Sequence, residues 1–329
     1  MLTIPEHRGP ISASVLTMLT GGPVARPDEV RALVAEVADP LTDDDLQLAL
    51  ACCYELHYRG LAGVPDRWEW DPDLLAVRAL LEDCFERALR RHVPDPPEVS
   101  GTVWGDLRAL VDADDGPPLS LHLARWATLA QLREFLVQRS VYHLREADSH
   151  TWGIPRLSGR AKAALVEIQS DEYGNGDDTR MHSALFAQLL RAAGLSDTYG
   201  GYWHDATAET LAGVNAISMF GLHRRHRGAL VGHLAALEMT STGPNRNYGK
   251  AVRRLGLPAE AAAFFDEHVE ADAVHEQVAA VDLCGALVED EPALRSDVLW
   301  GAGCCLALDA AAGRELLGRW SGAQLGLGA

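Results

Sequence analysis

The run "HVEADAVHE" at residues 268–276 places His268, Asp272 and His275 at offsets of four and seven residues. At about 100° per residue, these offsets leave the three side chains within roughly 60° of one another, on one stripe of a helix. Two imidazoles and a carboxylate so arranged have the types and spacing of metal ligands. Polar residues on a solvated outer face have the same spacing, so the metal reading needs partners elsewhere. Three segments offer them: Glu146 in "HLREADSH", Glu172 and His182 in "VEIQSDEYGNGDDTRMHSALF", and Glu238 in "GHLAALEMTST". In carboxylate-bridged metal bundles such ligands project inward from neighbouring helices. Glu172 and His182 would stand about 80° apart on a continuous ideal helix. Gly174 and Gly176 interrupt that helix, and a glycine-loosened segment can re-aim either side chain. Taken alone, "YGNGDD" also reads simply as a loop between two helices.

The elements that must carry these residues are helical. Apolar residues recur at helical offsets almost throughout, as in "LALACCYELHYRGL" and "LARWATLAQLREFLVQRSVYHL", and strict alternation is hard to find. Ala and Leu dominate and β-branched residues are sparse, so propensity agrees with pattern. The Pro-rich "HVPDPPEVSGT" at 92–102 is the best linker, giving an N-terminal helical region, 1–100, of unknown role and a larger portion, 101–329. The larger portion shows seven helical stretches: about 103–113, 119–147, 159–194 with a break, 207–241 with a kink, 245–256, 259–289 and 292–318. Pro117–Pro118, Pro155, Pro258 and Pro292 stand at or near helix starts, where a missing N–H costs nothing.

A formal charge of −18 opposes binding to nucleic acid or an anionic membrane surface, which need a clustered basic field. The six cysteines form no CxxC spacing and read as small buried hydrophobes. The N-terminal residues lack a basic leader followed by a long apolar run, and no window approaches the roughly 20 apolar residues of a membrane span. A soluble cytoplasmic protein is the expectation.

Taken in order, Glu146, Glu172, His182, Glu238 and the closing HxxxDxxH of His268, Asp272 and His275 resemble the ligand pattern of heme-oxygenase-like di-iron oxidases and oxygenases, the iron-containing redox enzymes. The "EYG" break after Glu172 and "HSALF" around His182 are similar too. The likeness spans about residues 119–290. It implies an all-α, heme-oxygenase-like seven-helix bundle, here with an additional N-terminal helical region. There is no evident proximal-His arrangement for heme and no compact ExxH of ferritin-like proteins. The four carboxylates and three neutral imidazoles together balance two ferrous ions. These ligands suit iron, manganese or zinc; the resemblance implies two Fe, cycling between Fe2+ and Fe3+, with O2 as co-substrate. His268 and Asp272 are assigned to one iron and His182 and His275 to the other, with the glutamates terminal or bridging.

The implied reaction is oxidation of a small molecule, an amino-acid derivative or aliphatic acid. It proceeds by N-oxygenation or by C–H abstraction leading to desaturation or C–C cleavage. A metal-storage protein without turnover and a cofactor-independent enzyme of the same fold are the alternatives. The sequence leaves the electron donor open, and leaves open whether residues 1–100 cover the core or form a homodimer surface. Tyr142, His143, Tyr173 and Met181 are substrate-pocket candidates from their closeness to the expected ligands, though each also suits the core. Asp171, Glu270 and Glu276 are available to fix an imidazole tautomer. His223, His226 and His233, in and after the charged "HRRHRG", read as solvated, and His204 as a loop residue. His57, with Glu55 and Tyr58, reads as a satisfied polar cluster joining the N-terminal helices to the core.

Overall fold

The computed structural model describes residues 2–94, 96 and 99–325, without the side chains of residues 272, 273 and 323–325. The fold is all-α, and the described residues form no strand, only an isolated bridge between Leu2 and Leu61. Four helices precede the linker: α1 (Pro10–Leu19), α2 (Pro27–Ala35), α3 (Asp44–Glu55) and α4 (Pro72–His92). After it come α5 (Val103–Asp112), α6 (Leu119–Arg125), α7 (Leu129–His143), α8 (Asp148–Thr151), α9 (Gly159–Glu172) and α10 (His182–Ala192). The chain continues through α11 (Ala208–Leu222), α12 (Arg227–Arg254), α13 (Ala263–Gln277), a π-helical run Val278–Gly285, α14 (Ala286–Asp290) and α15 (Arg295–Leu325). No helix of the described residues is long and apolar enough to cross a membrane.

Two of the expected stretches are divided differently. The 119–147 stretch breaks between α6 and α7 because "TLAQ" is a capping box. The Thr128 hydroxyl accepts the Gln131 N–H at 3.3 Å, and the Gln131 side chain accepts the Thr128 N–H at 2.9 Å. Conversely, no boundary falls near residue 245, where the 207–241 and 245–256 stretches were separated: α12 runs through Pro244. The ring removes one backbone hydrogen bond, but packing of α12 against α6, α13 and α15 keeps the helix in one piece.

Side chains of α12 and α15 enter all three apolar clusters of the core, which makes this pair the spine of the molecule. Their backbones approach closely at two glycines. A Cβ on Gly232 would lie 1.9 Å from the Val298 carbonyl oxygen, and one on Gly301 would lie 2.0 Å from that of Ala229. The N-terminal helices share the first cluster with α11 and α15 through Leu48, Phe85, Phe220 and Trp300. Polar contacts reinforce that seam: Tyr199 donates to Glu55 at 2.8 Å, and the Tyr58 hydroxyl meets Ser149 and Ser218 at 2.6 and 2.8 Å. His57 is enclosed between Glu69 and Arg78. The expected polar cluster joining the N-terminal helices to the core is therefore present.

Candidate metal centre

Local irregularities set the ligand candidates. Helix α7 stops at His143, and Ala147 adopts a left-handed φ of 73°, a costly conformation for a residue with a Cβ. That turn holds Glu146 at the cavity wall, and Gln169 Nε2 supports it by donating to the Ala147 carbonyl at 2.8 Å. Glu172 is the last residue of α9 and His182 the first of α10. Between them Gly174, Asn175 and Gly176 have φ of 65°, 53° and 87°. A Cβ on Gly174 would sit 2.7 Å from the Met181 nitrogen, so only glycine permits this reversal. The reversal brings His182 Nδ1 to 2.9 Å from Glu172 Oε2, which answers the awkward spacing of the pair along an ideal helix. Glu238 comes from mid-α12, and His268 and His275 from α13. The π-helical run begins three residues after His275.

These six residues converge in two overlapping groups. One oxygen or nitrogen from each of Glu146, Glu172, His182 and His268 lies within 4.8 Å of the others, as does one from each of Glu172, Glu238 and His275. Glu172 belongs to both. All six are at most 9% exposed. Glu146 Oε2, Glu172 Oε2, His182 Nδ1 and His275 Nδ1 are buried without an aligned hydrogen bond, including the close Glu172–His182 pair. Burying so many polar atoms unpaired is costly, and a cation between them removes the penalty. The donor set therefore fits a metal. Histidines 182 and 268 stand together, ring centroids 4.4 Å apart, and His275 stands with Glu238 at 3.5 Å. The expected pairing of His182 with His275 is not the arrangement found. The side chain of Asp272 lies outside the described residues.

Neighbouring groups orient the imidazoles. His268 Nδ1 donates to the Phe264 carbonyl at 2.7 Å, which turns Nε2 toward Glu146 at 3.6 Å. His275 Nε2 meets Asp171 at 3.0 Å, leaving Nδ1 toward Glu238. Of the three carboxylates available for tautomer control, Asp171 does this. Glu276 pairs with Arg108 and Glu270 is exposed. Burial pushes the Glu146 carboxyl up, but His143 at 2.7 Å and His268 outweigh it and hold it well below the usual carboxylate range. Burial works to lower His275, yet Glu238 and Asp171 prevail and raise it to about 9. His182 is raised as well, with Glu172 overcoming its desolvation.

A cavity of about 280 Å³ adjoins the cluster. Tyr142 and His143 line it. Tyr173 and Met181, the other two pocket candidates, do not line it. The Tyr173 hydroxyl is tied to Asp148 and Thr151, each at 2.9 Å, and Met181 precedes α10 in the reversal. The solvated reading of His226 and His233 is corrected, for they are 2% and 4% exposed. His226 packs against Phe220 and Trp300, His233 against His150, and His223 contacts Glu82 at 3.0 Å. His204 is exposed, as its loop reading requires. Sequence reasoning passed over His150 and Gln169 in the cavity wall; His150 follows Glu146 by four residues and Gln169 precedes Glu172 by three, a usable signal.

An all-α bundle whose helices aim buried carboxylates and imidazoles into one interior space is an architecture for metal-dependent chemistry. The chain belongs to the iron-containing redox enzyme family, with a heme-oxygenase-like fold: the family's sequence model matches residues 133–310. The matched segment includes all six converging residues. No curated protein matches the chain.

Proposed function

We propose that this chain is a non-heme di-iron oxidoreductase that uses dioxygen to oxidise a small molecule, an amino-acid derivative or aliphatic acid. The outcome is N-oxygenation, or C–H abstraction leading to desaturation or C–C cleavage. The supporting observation is the pair of overlapping ligand groups that share Glu172. Glu146, His182 and His268 would hold one iron and Glu238 and His275 the other, with Glu172 between them and Asp272 a further ligand. Two ferrous ions would supply the electrons that reduce O2.

The protein's own part is positional. Asp171 and the Phe264 carbonyl fix imidazole orientation. His143 holds Glu146, and the Phe186, Phe264 and Phe265 rings pack together beside it, an apolar face that would keep water from the cluster. A cavity beside the cluster favours turnover over storage, which needs no room for a second molecule. In this reading residues 101–329 carry the chemistry, and residues 1–100 form a helical region packed on α11 and α15.

Oxygen uptake by anaerobically iron-loaded protein tests the reading. Consumption of O2 that exceeds the buffer-iron control and disappears in Glu172→Ala is expected. Uptake no faster than free iron, or unchanged in Glu172→Ala, contradicts it.

A further inference from the structure

Two polar side chains of the cavity wall take no part in the ligand cluster. His150 and Gln169 are 1% and 3% exposed, and each buries one atom without a partner, His150 Nε2 and Gln169 Oε1. The Gln169 amide is oriented by its nitrogen, which donates to the Ala147 carbonyl at 2.8 Å and to Thr151 Oγ1 at 2.5 Å. Thr151 in turn meets the Tyr173 hydroxyl, which donates to Asp148, each contact 2.9 Å. A chain of four side chains thus presents the amide oxygen, a pure acceptor. Gln169 precedes Glu172 by one helical turn, about 5 Å, so a group bonded to Gln169 lies beside the cluster.

Burial drives His150 down to about 4, which leaves it neutral. The cavity's arginine, Arg139, is engaged by Asp309 at 2.6 Å. Glu146, Glu172 and Glu238 share the lining. A head group with lone pairs only would set them against the Gln169 oxygen. A group carrying N–H bonds would satisfy that oxygen and leave its aliphatic body along Phe135, Leu234, Leu237 and Leu306.

We propose that Gln169 and His150 form a specificity subsite for the N–H-bearing head group of the substrate, an amine or a primary amide, and that this subsite discriminates against a head group without N–H bonds. The proposal rests on the ligand cluster being the reaction centre, and it narrows the substrate class given above.

The test is calorimetric titration of the full, iron-loaded chain with hexylamine, hexanamide and methyl hexanoate, a neutral ester of similar length without N–H bonds. Saturable binding of the amine or the amide is expected, roughly tenfold or more tighter than methyl hexanoate. The tighter of the two N–H probes tells which head group the subsite takes. Gln169→Met should weaken that binding roughly tenfold per iron-loaded chain with helicity unchanged. The near-isosteric Gln169→Glu should favour hexylamine over hexanamide. Methyl hexanoate binding as tightly as both N–H probes, no saturable binding of either N–H probe, or indifference to both Gln169 substitutions overturns the proposal. Iron content measured on the same samples keeps this separate from the metal reading. Protein that holds iron and prefers methyl hexanoate loses only the subsite, whereas protein that binds hexylamine without taking up iron loses the metal reading.

Discussion

Replacing Gly232 by alanine puts the α12–α15 spine under direct load. The added Cβ would lie 1.9 Å from the Val298 carbonyl oxygen, and contacts under 3.0 Å essentially never occur, so the two backbones must separate locally by about 1.1 Å. The obstacle is main chain, and no rotamer change relieves it. Overpacking of a core costs about 1–3 kcal/mol, and a backbone obstacle belongs at the upper end. For a chain of 329 residues about 3 kcal/mol lowers the melting temperature by roughly 4 °C. Glu238 lies on the same helix six residues on, so iron retained on the Glu238–His275 side should fall as well. Thermal unfolding followed by circular dichroism is the assay, with Gly213→Ala as control. That position is mid-helix with nothing within 4 Å of a Cβ, so alanine there should be neutral or stabilising by up to about 1 kcal/mol. A Gly232→Ala protein that melts within about 1 °C of the parent would refute the close-crossing argument.

Further outcomes concern the cluster. His275→Ala should abolish tight binding of at least one iron, whereas His226→Ala, which removes a ring packed on Phe220 and Trp300, should lower stability and leave iron content per folded chain intact. Equal iron losses in quantitative metal analysis would undo the assignment. Asp171→Asn removes the carboxylate 3.0 Å from His275 Nε2 and should weaken iron binding by about 10–100-fold in a chelator-competition titration; unchanged affinity would show that Asp171 does not position the imidazole. His275, raised to about 9 from an unfolded value near 6.5, contributes stability that is full below about pH 6.5 and lost as pH rises through about 9. Iron requires that nitrogen deprotonated, so apparent iron affinity should climb about tenfold per pH unit between pH 6.5 and 8.5, and a flat profile would contradict the role given to His275.

The convergence of six candidate residues was legible because glutamates and histidines are conspicuous in apolar helices, and because "YGNGDD" marks a glycine reversal between two of them. The all-α class followed from periodicity. Long-range pairing was not legible: which imidazole stands beside His182 depends on how α13 lies against α10, and no local pattern encodes that. The solvated reading of His226 failed for a similar reason. Its neighbours in "HRRHRG" are charged, but the aromatic rings that bury it come from positions 220 and 300. Pro244 signalled a helix boundary locally, and tertiary packing overrode it. Gln169, uncharged and in an ordinary amphipathic helix, carried no mark beyond its spacing from Glu172.

The most direct test of the shared-Glu172 centre is anaerobic titration of metal-free protein with ferrous ion, with stoichiometry and magnetic coupling read by Mössbauer spectroscopy after oxidation. Two irons per chain, coupled to each other in the parent and uncoupled or reduced to one in Glu172→Ala, is the result expected. A single iron, or two that are magnetically independent in the parent, would contradict a centre built across Glu172.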